Sequence, residues 1–138
     1  MRIMAIDYGD AHTGIAISDP TGFLTGFTTV INAYRPDAVA ERIAVLAAEH
    51  GVEELVLGHP INMDGTRGPR SEKAQAMKAL LEEQTALPVV LWDERRTTID
   101  AHQILMGSGK NAKQRKKVVD AVAASLILEG YLTFRKHH

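Results

Sequence analysis

The 138-residue chain contains no cysteine. A disulfide scaffold, a thiolate zinc site and a cysteine nucleophile are all excluded, and a reducing cytosol is the natural expectation. Aromatic residues are scarce too, with one Trp, three Tyr and three Phe. A site that works by stacking rings on flat ligands is poorly supplied. No apolar run approaches the roughly 20 residues of a membrane-spanning helix. The opening Met1-Arg2-Ile3-Met4-Ala5-Ile6-Asp7 is too short for a signal h-region and has no cleavage site behind it. Repeats, low-complexity tracts and linkers are missing as well, so the length predicts one domain, 1–138, with one site. What is present, 45% hydrophobic and 24% charged residues, is the composition of an ordinary soluble globular protein.

Charge is nearly balanced, at -1, but unevenly spread. Residues 1–66 hold 3 Lys/Arg and 9 Asp/Glu, a net of -6, whereas residues 67–138 hold 13 and 8, a net of +5. Acids can hold a metal and bases a polyanion, although both signs also belong on any surface.

The hydrophobic pattern opens with strands and then alternates. Residues 2–7, 12–18 and about 25–31 read as an antiparallel meander, the second pair joined by Asp19-Pro20-Thr21-Gly22 with Pro and Gly where a type I turn favours them. Val39, Ile43, Leu46 and Ala47 predict a helix from Asp37 to His50, stopped by Gly51. Glu54 to Gly58 reads as a buried strand, 59–70 as a loop, Ser71 to Thr85 as a helix and Val89 to Trp92 as a strand. Thr97-Thr98-Ile99-Asp100 has the form of a helix start, closed at Gly107-Ser108-Gly109, and a last helix runs from about Ala112 to Phe134. The sum is an α/β fold: a mixed sheet covered by helices, whose site belongs at the open ends of the parallel strands.

Four carboxylates, two of them adjacent, stand in or beside apolar runs. Asp7 closes the run Ile3-Met4-Ala5-Ile6 and by alternation shares a face with Ile3 and Ala5. Such a carboxylate must be paired, hydrogen-bonded or bound to a cation, a turn cap at Gly9 being the plainest alternative. Asp120 sits in Val118-Val119-Asp120-Ala121-Val122-Ala123-Ala124, with Ala124 and Ile127 on its helical face; the bland alternative is an acid satisfying free N–H groups near a helix start. Asp93 and Glu94 follow a strand, so at most one of them faces a common site. Acids from separate elements, with no cysteine, suit a hard cation, Mg²⁺ or Mn²⁺, and such sites cut phosphodiesters. Lys110, Lys113, Arg115, Lys116 and Lys117 lie just before Asp120 in a stretch with no acid from 101 to 119, and would grip a phosphate backbone. With so few aromatics, structured nucleic acid fits better than sequence reading of a single strand.

The chain resembles, over nearly its whole length, the YqgF/RuvX family of RNase H-like nucleases. The matching segments are Ile6-Asp7-Tyr8-Gly9 with Gly14 to Asp19, Gly58-His59-Pro60-Ile61-Asn62-Met63-Asp64-Gly65-Thr66 with Gly68-Pro69-Arg70, Trp92-Asp93-Glu94-Arg95 with Thr97-Thr98, and Asp120-Ala121 with Ala123-Ala124 and Leu128. The resemblance implies an RNase H-like five-stranded mixed sheet, a meander followed by parallel strands, with helices on both faces. It implies a cytoplasmic, metal-dependent endonuclease that matures the 5′ end of pre-16S ribosomal RNA, some relatives being described as Holliday junction resolvases. Its acidic set falls on Asp7, Glu94 and Asp120; Gly65-Thr66 and Arg70 belong to a loop near the site and Arg95 to its rim. Structured RNA, branched DNA and ribosomal precursor particles are the implied partners, to a monomer or a homodimer.

This chain departs from the family pattern at Asp10-Ala11-His12-Thr13, where basic residues are usual, at His59, where Leu is common, and at Arg96, which replaces a usual Leu. His59 reads as a loop residue, with water positioning as its alternative. No acid is lost. The competing class is a catalytically silent nucleic-acid or ribosome-assembly module. An actin-like ATPase or sugar kinase would need two duplicated domains, and a haloacid-dehalogenase phosphatase a second Asp two residues after the first, where Gly9 stands.

Overall fold

The computed structural model describes residues 1–22, 24–59, 68–93 and 112–137, without the side chains of 112–120 and 137. β1 (Arg2–Asp7), β2 (His12–Ser18) and β3 (Thr25–Asn32) form the expected antiparallel meander. They are followed by α1 (Pro36–His50), β4 (Val52–His59), α2 (Pro69–Thr85), β5 (Val89–Asp93) and α3 (Ala112–His137). The sheet order is β3-β2-β1-β4-β5, with β4 parallel to β1 and β5 parallel to β4. The helix expected from Thr97 lies outside the described residues.

Alternation along the strands divides the core in two. Met4, Ile6, Ile15, Ile17, Leu55 and Leu57 pack with Val39 and Ile43 of α1 and Met77 and Leu81 of α2. Ile3, Ala5, Ala16, Val56 and Trp92 pack on the other face with Ala124, Ile127, Leu128, Tyr131 and Leu132 of α3. Helices on both faces are thus what the strand pattern requires. Ala5, Ala16 and Ala124 contribute small side chains to this layer, which lets α3 lie close to the middle of the sheet.

Several boundaries differ from the sequence expectation for local reasons. Pro36 and Pro69 each stand at a helix start, where a missing N–H costs nothing and the fixed φ suits the first turn. Helix α1 therefore begins one residue earlier than expected and α2 two. Helix α2 stops at Ala86 in a left-handed conformation (φ 57°), a role in which Gly or Asn is usual, and α3 runs on past Phe134 to His137. The Asp19–Gly22 turn forms as read: Gly22 N–H donates to the Asp19 carbonyl at 3.0 Å and to its carboxylate at 2.9 Å. Buried Ser18, beside a register shift in the β2–β3 pairing, accepts from Ile3 N–H at 2.8 Å.

At the end of the sheet where β1 begins, the hydroxyl of buried Tyr131 donates to Glu54. Burial first, then this hydrogen bond and the charge of Glu54, push the phenol up to about 12. Because the folded value exceeds the ordinary 10, this contribution to stability is complete below pH 10 and disappears as pH rises through 12. Tyr131→Phe is expected to cost about 1.5 kcal/mol at neutral pH and to flatten the alkaline limb of a Tm-versus-pH curve. An unaltered limb would show that another group titrates there.

Candidate active site

Asp7 is the last residue of central strand β1, half-buried, and alternation sets it on the α3 face with Ile3 and Ala5. The direction of α3 brings a second acidic position to the same edge. The later turns of α3 lie at the opposite edge, where Tyr131 bonds Glu54 and Leu132 and Arg135 border a pocket with Met1 and Ile3. From Ile3 to Asp7 the strand rises about 13 Å, and from Leu132 back to position 120 the helix spans about 18 Å. Position 120 is one turn before buried Ala124, on the stripe that packs against the sheet. The chain therefore enters the packed part of α3 beside the end of β1.

Asp93 ends β5, paired in register with His59. Val89 and Leu91 belong to the α1–α2 side of the core and Val90 and Trp92 to the α3 side. Alternation consequently turns Asp93 toward α1 and α2, away from the face of Asp7. Glu94 and Arg95 lie outside the described residues, as do Gly65-Thr66 and Lys110. Lys113, Arg115, Lys116 and Lys117 fall in the first turns of α3, whose opening turn contains no acid. Among the described residues no three His, Asp or Glu side chains form a cluster fit for a metal ion.

His59 is corrected by the structure. It is no loop residue but the buried end of β4, with Nε2 at 2.6 Å from the Oγ of fully buried Ser71 in the first turn of α2. This contact ties the carboxyl end of β4 to the start of α2; with Gln75 Nε2 3.5 Å from the same Oγ, it argues for a scaffold role. Arg70 stands exposed on that first turn, beside a cleft formed with Tyr8, Gly9, Asp10, Gly58 and Lys73. Lys73, which the sequence reading passed over, pairs with Asp10 of the β1–β2 turn at 2.9 Å. Burial raises the Tyr8 phenol above its ordinary range, Lys73 opposing the shift and Asp10 adding to it.

The Holliday junction resolvase family RuvX matches residues 1–134. The chain belongs to the RuvX family. A Halothermothrix orenii protein named "Putative pre-16S rRNA nuclease" is 43% identical over 135 residues, covering 98% of this chain and 96% of its own. A Bacillus subtilis protein of the same name is 42% identical over 134 residues, covering 96% and 97%. Among solved structures, T. thermophilus RuvC in complex with a Holliday junction substrate superposes with a TM-score of 0.62 at 14% identity, covering 99% of this chain and 96% of that one. At that identity the likeness is one of fold, and it bears out the RNase H-like mixed sheet. As a RuvX member the chain is a hydrolase acting on nucleic acid. No helix among the described residues is long and apolar enough to cross a membrane.

Proposed function

We propose that this RuvX chain is a cytoplasmic, divalent-metal-dependent endonuclease whose substrate is structured RNA, the 5′ region of precursor 16S ribosomal RNA within its precursor particle. The observation that carries the reading is the half-buried Asp7 carboxylate at the open edge of the parallel strands, on the face along which α3 returns with position 120. Asp7, Glu94 and Asp120 would hold Mg²⁺ or Mn²⁺. The fit rests on donor chemistry: an all-carboxylate set in a chain without cysteine, one member continuing the apolar stripe of Ile3 and Ala5, suits a hard cation. Held by these carboxylates, such a cation would supply water activation and charge stabilisation for phosphodiester hydrolysis.

The protein's own groups do the rest. Strand β1 fixes Asp7 between its neighbours β2 and β4, so the carboxylate is aimed before substrate arrives. Arg70, Arg95 and the segment Lys110, Lys113, Arg115, Lys116 and Lys117 attract and align the phosphate backbone through charge, which is sequence-independent and salt-sensitive. The relatives named for pre-16S ribosomal RNA favour the RNA substrate. The family description favours a second reading, resolution of four-way DNA junctions. A cleavage panel with Mg²⁺ or Mn²⁺ compares precursor RNA, plain single strands and four-way junctions. Preferred cleavage of the precursor is expected; cleavage of junctions alone would overturn the RNA reading, and salt-sensitive binding with no cleavage of any substrate would overturn the nuclease mechanism.

A further inference from the structure

The carboxyl ends of β1 and β4 form a switch point, because the chain leaves β1 toward β2 on one side and leaves β4 toward β5 on the other. Ligands of open α/β sheets settle in such crevices. Here the crevice is lined by Tyr8, Gly9, Asp10, Gly58, Arg70 and Lys73. Two of these are cations, both on the first turns of α2, and Gly9 sits in the tight turn that carries Asp10. A methyl group on Gly9 would lie 2.4 Å from the His12 carbonyl oxygen. The crevice begins one residue beyond Asp7, yet on the opposite side of the sheet, since Tyr8 packs against the α1–α2 core. A polynucleotide strand bound at Asp7 would cross this edge of the sheet to reach the crevice.

The Asp10 carboxylate marks what the crevice accepts. Its oxygen sits 2.9 Å from Lys73 Nζ, the distance a phosphate oxygen would take, and the two side chains are 84% and 56% exposed. An ion pair so open to water is weak and readily exchanged. We infer that Lys73 and Arg70 seat a phosphate of the bound strand other than the one cut at Asp7, and that Asp10 masks Lys73 until that phosphate displaces it. The inference rests on the nucleic-acid reading given above and adds to it a second phosphate seat with a built-in competitor. Substitutions at the two partners should act with opposite sign. Lys73→Ala removes a phosphate contact, whereas Asp10→Asn unmasks Lys73 and removes a carboxylate that repels the strand.

The test is fluorescence anisotropy of the full-length chain with a labelled hairpin RNA and, separately, a labelled four-way DNA junction. It is run in EDTA so that nothing is cleaved, over a series of KCl concentrations. Lys73→Ala is expected to weaken binding about three- to tenfold and to lower the slope of log affinity against log salt by about one. Asp10→Asn should tighten binding about threefold by the same counting of phosphate contacts. Lys78→Ala, which removes the same charge from the Lys78–Glu82 pair farther along α2, should move it far less. All three side chains are surface-placed, and equal thermal midpoints would confirm intact folds. Unchanged affinity and slope in Lys73→Ala, or weaker binding by Asp10→Asn, would overturn the inference. Failure of the unsubstituted protein to bind either probe would overturn the nucleic-acid reading with it. Binding with the expected responses but no cleavage under Mg²⁺ would overturn only the nuclease reading. The two probes tell whether the seat serves RNA, DNA or both.

Discussion

Asp7→Asn is expected to lower the single-turnover cleavage rate by at least about a thousandfold, the scale on which loss of one member of a catalytic unit is felt. The substitution keeps the shape of the side chain and removes its charge. Asp7 is half-buried at the end of β1, and the thermal midpoint, measured alongside, separates a loss of rate from a loss of fold. The informative companion is Asp93→Asn. Both acids end a strand of the same sheet, but alternation turns Asp93 toward the α1–α2 side. It should therefore change cleavage by no more than about threefold, whatever it does to stability. Equal losses in the two variants would mean that the reacting site is not confined to the α3 face.

Gly9→Ala is expected to have the second-largest effect. The added carbon would sit 2.4 Å from the carbonyl oxygen of His12, a backbone atom that cannot swing aside, so the turn after Asp7 must move. About 2 kcal/mol of stability should be lost. A displacement of the Asp7 carboxylate on the order of 1 Å would also cost about a hundredfold in rate. Gly51→Ala separates the two effects. Gly51 caps α1 at φ 65° with nothing within 4 Å of the added carbon, and it precedes β4, at the far edge of the sheet from Asp7. Its replacement should cost about 1 kcal/mol through strain alone and leave cleavage unaltered. If Gly9→Ala cuts as fast as the unsubstituted chain while losing comparable stability, the turn does not position Asp7.

Much of the fold was legible because local signals and global pairing agree. The Asp19–Gly22 turn set the meander, and the alternation that placed Asp7 with Ile3 and Ala5 is the alternation that divides the two halves of the core. Where the reading differed, a tertiary contact or a lenient position decided. Strand β4 gains Val52 by pairing with Arg2, and it gains His59 through register with Asp93 and the bond to Ser71. A histidine among Gly and Pro residues looks like loop because its partner is 12 residues away, in another element. Lys73 was invisible for the same reason: its partner, Asp10, is 63 residues distant. That Asp93 lies on the α1–α2 side shows only in the packing of Val89, Leu91 and Trp92, whereas Glu94 rests on the family resemblance.

The proposed cation site draws on Asp7, Glu94 and Asp120. Its most direct test is Mn²⁺ binding followed by electron paramagnetic resonance in five full-length proteins: unsubstituted, Asp7→Asn, Glu94→Gln, Asp120→Asn and Asp93→Asn. Asp7→Asn, Glu94→Gln and Asp120→Asn are each expected to abolish or severely weaken the bound-Mn²⁺ signal, and Asp93→Asn to retain it. Retention by all four variants, or loss in Asp93→Asn together with retention in Glu94→Gln, would rule out this site.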